Sequence, residues 1–155
     1  MEQAIIMGQI STYTQLWEYC RLHGLKTIEI IEEGNAWGFR VNSNEFSVKE
    51  TFRHTAKSIF EDAGNWFLAD PTPYNPLEDP IEDLNRALDR MIRAKAAFSD
   101  NDLSGEFTFQ WGEKTTVAGV IKQNLFHAVV HFSQLRNWVG IHRRAKKEKL
   151  DRVIL

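Results

Sequence analysis

A chain of 155 residues with a formal net charge of -2 is long enough for one domain with its own core. That charge balance exerts no overall pull toward nucleic acid or an anionic membrane. Apolar residues make up 43% and charged residues 26%, which excludes a disordered or collagen-like chain and fits a globular one. The single cysteine, Cys20, excludes an intrachain disulfide and suits a reducing compartment. The opening residues, MEQAIIMGQI, lack the basic region and apolar run of a signal peptide. No stretch approaches the roughly 18 to 20 apolar residues that span a bilayer, so a cytoplasmic protein is expected.

The first predicted helix runs from about Ser11 to Glu33. Tyr13, Leu16, Trp17, Cys20, Gly24, Thr27, Ile28 and Ile31 fall on one stripe at helical spacing. Gly24 lies on that stripe, where it permits close approach of another helix. Gly34 and Asn35 supply the stop. The sequence SVKE, from Ser47 to Glu50, is a capping box and starts a second helix reaching about Leu68. Phe52, Thr55, Ala56, Ile59, Ala63 and Trp66 form its expected inner face. Four prolines within DPTPYNPLEDP then impose an extended connection. Asp79 with Pro80 at the first helical position opens a third helix, whose apolar positions are Ile81, Leu84, Leu88, Met91 and Phe98. In GEFTFQWGEK, Phe107, Phe109 and Trp111 alternate with polar residues, the pattern of a short extended or hairpin segment. The last helix is expected from about Thr116 to about Lys147, with Val117, Val120, Ile121, Leu125, Ala128, Phe132, Leu135 and Val139 inward. Four amphipathic helices and little strand make an all-α four-helix bundle with a hairpin before the last helix. Two connections are long enough to cross the bundle, so helix directions stay open.

The last helix carries HAVVHFSQL, which places His127 and His131 four residues apart. Such residues lie about 40° apart around a helix and about 6 Å apart along it, so both imidazoles can meet one divalent ion. The competing reading is a pair of partly buried histidines hydrogen-bonded within the bundle. A catalytic site needs a third ligand and an open position. His54 on the second helix lies off the apolar stripe and is the candidate, although a histidine on a polar face can equally be solvated. No glutamate follows His127, which excludes the H-E-x-x-H metalloprotease pattern. Glu61, roughly 10 Å from His54 along the axis, lies too far to share the ion. Glu50 and Ser58, one turn either side of His54, are candidates for supporting the ligands. Gln134, one turn beyond His131, could hold a bound water or substrate.

NEFSVKETFRH, residues 44–54, followed much later by HAVVHFSQL, resembles the DinB-like (DinB/YfiT-like) superfamily of four-helix metal-binding proteins. The resemblance spans nearly the whole chain, residues 1–155, as one domain. It rests on the aromatic–Ser start of the second helix, the histidine within it, and H-x-x-x-H followed by glutamine in the fourth. By position, it implies metal ligands at His54, His127 and His131. It further implies zinc or nickel, a homodimer, and chemistry in which a low-molecular-weight thiol such as bacillithiol or mycothiol attacks a small electrophile, or hydrolysis by a metal-bound hydroxide. The alternative of another class is a non-catalytic metal-binding bundle that serves as a dimerisation or small-ligand-binding module.

The remaining features have plainer readings. HRRAKKEK, residues 142–149, is the one basic run, but cations near a helix C-terminus complement its dipole and no aromatic platform is interleaved, which argues against nucleic acid. Trp17, Trp66 and Trp138 fit helix faces as core residues, whereas Trp37 and Trp111 could line a cleft mouth or close a bundle end. Cys20 reads as a buried structural thiol. His23 and His142 have no partner at metal spacing.

Overall fold

The computed structural model describes residues 8–154, so the opening segment read above for a signal peptide lies largely outside the described residues. Four α-helices pack together: α1 (Gln9–Glu33), α2 (Val48–Asp62), α3 (Pro80–Ala96) and α4 (Val117–Ile154). A π-helical stretch, Ala63–Leu68, extends α2. A 3₁₀ segment, Asp100–Ser104, and two short strands, β1 (Glu106–Thr108) and β2 (Lys114–Thr116), precede α4. The strands pair antiparallel with Phe107 opposite Thr115. The all-α four-helix bundle with a hairpin before the last helix is therefore the fold.

The starts were set locally. Ser47 accepts from the Glu50 backbone N–H at 3.1 Å while the Glu50 carboxylate accepts from the Ser47 N–H at 2.7 Å, closing the capping box of α2. Asp79 accepts from the backbone N–H groups of Ile81 and Glu82, with Pro80 at the first helical position of α3.

Each of α1 and α2 packs against both α3 and α4, which places α1 opposite α2 across the bundle. The connections 34–47 and 97–116 therefore join diagonal helices. The core is built around Trp17, Phe52, Leu84, Leu88, Met91, Phe132 and Leu135, all essentially inaccessible to solvent. Removing one such large side chain typically costs about 2–5 kcal/mol. Gly24 sits where a Cβ would come within 2.6 Å of Leu84 and 3.0 Å of Phe132, so its lack of a side chain lets α1 approach its neighbours. A second apolar cluster of Tyr13, Leu103, Val117 and Ile121 closes the hairpin end.

Some expected inward positions point outward. Leu16 and Ile81 are 39% and 48% exposed, because each stands at the margin of its stripe and the diagonal packing leaves that margin uncovered. Phe98 lies beyond the end of α3 and packs edge-on against Phe67 at 5.5 Å. Trp66 is only half-buried: the π-helical stretch turns it toward the hairpin, 5.4 Å from the ring of Phe109. Phe109 and Trp111 belong to the turn of the hairpin rather than to a strand, with Gly112 at φ 91°. The last helix runs past Lys147 to Ile154, and the basic run on it serves another helix. Arg143 donates to Ile30 O at 3.3 Å and Lys146 to Gly34 O at 3.4 Å, so these cations cover the C-terminal carbonyls of α1. No helix among the described residues is long and apolar enough to cross a membrane.

Two buried ionic groups tie the proline-rich connection down. The Asp83 carboxylate, with no solvent exposure, accepts from Arg53, Arg86, the Tyr74 hydroxyl and the Leu77 backbone N–H. Arg90 donates to Phe60 O and Asp70 O and lies over the Phe60 ring, 4.4 Å from its centroid. These bonds hold the end of α2 and the π-helical stretch against α3.

Candidate metal centre

His54 projects from α2, and His127 and His131 from α4, the two helices being neighbours in the bundle. The three rings meet: the centroids of His54 and His127 are 5.4 Å apart, those of His54 and His131 5.1 Å, and those of His127 and His131 4.5 Å. One ring nitrogen from each lies within 4.8 Å of the others, so His54, His127 and His131 form a group that could hold a metal ion. His54 is exposed and the α4 pair half-buried, which leaves the group open on one side.

The hydrogen bonds orient the nitrogens toward a shared centre. His131 Nδ1 lies 3.0 Å from Gln134 Oε1; an amide oxygen only accepts, so Nδ1 carries a proton, and in the neutral ring it is Nε2 that holds the lone pair. That Nε2 faces His127 Nε2 at 3.0 Å. This separation is shorter than twice a zinc–nitrogen bond of about 2.0–2.1 Å, so the pair can reach one ion. Gln134, one turn beyond His131, thus fixes the tautomer and ring angle of a ligand, as partners of metal-bound histidines do.

Burial favours the neutral, ligating form of two of these rings. Desolvation first, then the neighbouring His131 and His54, push His127 down to about 4. His54 is lowered for the same first reason, helped by His131 and Lys57. Near neutral pH neither needs to lose a proton before binding a cation.

The other expected residues stand differently. Ser58 Oγ donates to the His54 backbone carbonyl at 2.9 Å and so meets that residue through the main chain rather than the ring. The Glu50 carboxylate is committed to the capping box and to Arg40 at 2.8 Å. Glu61 accepts from the Tyr74 backbone N–H and is not among the residues that converge on the three-histidine group. His23 Nδ1 accepts from Arg136 at 2.6 Å, and the His142 ring lies 4.8 Å from that of Phe39. Cys20 is buried and its thiol is pushed up to about 12 by burial, which keeps it protonated.

Beside His127 lies a group that sequence reasoning missed. Asp62, at the last turn of α2, accepts from Asn124 Nδ2 at 2.6 Å; Asn124 is one turn before His127. Burial raises the Asp62 carboxyl to about 7, against the lowering effect of the Asn124 bond. Asp62, Asn124 and His127 share a cleft of about 240 Å³ with Trp66, Trp111 and Gln123. Nothing in the spacing of Asp62 and Asn124 announces the pair, since 62 residues separate them. The only local signal was a polar residue, Asn124, standing among the inward positions of α4, where it is 3% exposed.

Fold and site together define a four-helix bundle with a three-histidine group between two adjacent helices. No protein-family model matches the sequence, and no curated protein matches it.

Proposed function

We propose that this protein is a DinB-like metalloenzyme that holds one divalent cation, zinc or nickel, on His54, His127 and His131. The observation that carries the reading is the convergence of three imidazoles from two helices, with the His131 tautomer held by Gln134. A divalent ion on neutral ligands keeps its full charge and lowers the pKa of a bound water or thiol. The reaction class that follows is attack of a low-molecular-weight thiol, or of water, on a small electrophile.

The chain's own part is positional. Gln134 aims the His131 lone pair, and the Ser58 bond ties the turn of α2 that carries His54. The exposed edge of His54 leaves one side of the group reachable by a small molecule. The homodimer expected of such bundles would cover Tyr19 and Leu22 on α1 and Phe126 and Val130 on α4, large apolar side chains exposed on two helices that pack together.

Protein purified without a histidine tag should carry close to one zinc or nickel ion per chain once supplied with metal, and chelation should abolish thiol-transfer or hydrolytic activity while leaving the helices folded. Uptake below about a tenth of an ion per chain would overturn the metal reading. Collapse of the fold on chelation would favour a structural ion and the non-catalytic alternative.

A further inference from the structure

We propose that the cleft walled by Asp62, Trp66, Trp111, Gln123, Asn124 and His127 binds a small planar molecule that carries an N–H or O–H donor. The inference takes the three-histidine group as the reacting centre of the same site, since His127 is shared between them.

The flat surface is prebuilt. Trp111 is 59% exposed, yet it does not hang free: its ring stacks on buried Phe109 at 4.3 Å and 8°, and its indole N–H donates to Glu113 at 3.0 Å. Trp66 stands edge-on to the same Phe109 ring. It is brought there by a π-helical stretch, a local distortion that recurs at functional sites because it re-aims side chains. A rigid exposed indole, with a second indole lining the same cleft, offers an aromatic surface to a flat ligand at little ordering cost.

The polar wall asks for a donor. Asp62 makes one hydrogen bond among the described residues, leaving its second carboxyl oxygen without a partner. Asn124 donates one of its two amide N–H groups to Asp62, and its Oδ1 is enclosed without a hydrogen bond. Once ionised, above about pH 7, the second Asp62 oxygen is an unspent acceptor, and no lysine or arginine stands among the described residues that wall the cleft, so the wall favours a ligand that brings its own N–H or O–H. Above about pH 7, where Asp62 is ionised, an anionic ligand head would meet that carboxylate unfavourably.

Phenol serves as the probe and anisole, the same ring without a donor, as its control. Titrated into ¹⁵N-labelled protein, as purified and again after chelation, phenol should shift the Trp66 and Trp111 indole and Asn124 amide signals saturably in both states. The Trp17 and Trp138 indoles should stay still. Anisole should bind about threefold or more weaker, the value of one modest hydrogen bond. Trp111→Ala, at an exposed position, should weaken phenol by about two- to tenfold. Asp62→Leu should erase the preference for phenol over anisole. Absence of saturable shifts at Trp111 and Asn124, or equal binding of the two probes by the unmodified chain, would overturn the inference. A chain that takes up no zinc or nickel yet shows these shifts removes the metal reading and leaves the cleft standing; a metal-loaded chain without them does the reverse.

Discussion

Asp62→Asn should make the protein more stable at pH 8 and leave it unchanged near pH 4. The carboxyl is raised from an ordinary 3.8 to about 7 in the folded chain, chiefly by burial at the last turn of α2. The folded protein therefore holds that proton more tightly than the unfolded chain does. Its contribution is fully favourable below about pH 4 and is lost as pH rises through about 7. At about 1.4 kcal/mol for each tenfold change in proton affinity, the charged carboxylate costs the fold up to about 4 kcal/mol above pH 7. Asparagine keeps an acceptor for Asn124 Nδ2 and cannot ionise, so it removes that cost. Urea unfolding of both proteins in the presence of a chelator, at intervals from pH 4.5 to 8.5, gives the stability difference directly. Other carboxylates, such as Asp70 and Asp102, which hydrogen bonds hold below the usual range, affect both proteins alike and cancel. The difference should grow with pH and level off above 7. A difference that is flat across the range, or that favours the native aspartate at pH 8, would refute the reasoning.

Three further outcomes follow from named contacts. Gln134→Leu deletes the acceptor that orients His131 and should weaken zinc or nickel binding about 10- to 100-fold in competition with a chromophoric chelator, with the helical content unchanged. Gly64→Ala should lower thermal stability by about 1–3 kcal/mol, because the new Cβ would fall 2.2 Å from Asp70 O and 2.3 Å from the Arg90 guanidinium; an unchanged melting temperature would contradict that packing. Asp83→Asn leaves Arg53 and Arg86 facing a neutral group in a fully buried position and should cost about 3–5 kcal/mol in urea unfolding. A loss below about 1 kcal/mol, the range of a solvated pair, would show that the proline-rich connection is held by something else.

The parts of the fold governed by local chemistry could be read in advance. Ser47 with Glu50 and Asp79 with Pro80 fix helix starts within a few residues, and the four-residue spacing of His127 and His131 puts two rings on one face wherever the helix goes. What could not be read depends on which helices meet. The approach of His54 to the α4 pair requires α2 beside α4, a consequence of the diagonal placement of α1 and α2 that no periodicity encodes. Leu16 and Ile81 show the same limit, as stripe position alone does not say how wide the covered strip will be. Glu50 lay at the right spacing to assist His54, but the capping box it completes already uses its carboxylate. Lys95 is the sharpest mismatch between composition and place. Its side chain is wholly buried, bonded to Tyr13 O at 3.2 Å and set over the Trp17 ring at 4.8 Å. Burial pushes it down to about 7, so much of the cost of enclosing a cation is avoided by loss of its proton. The Asp62–Asn124 pair escaped notice for the reason that makes it useful: it exists only once α2 and α4 are packed.

The central claim is that three imidazoles share one cation, and the ring nitrogens themselves can report it. Long-range ¹H–¹⁵N spectra of the histidine side chains, recorded while zinc is added to tag-free protein, resolve each ring separately. His54, His127 and His131 should shift together and saturate at one equivalent, while His23 and His142 keep their positions. Rings that respond at different equivalents, or a response confined to His23 and His142, would show that the three-histidine group does not bind as a unit.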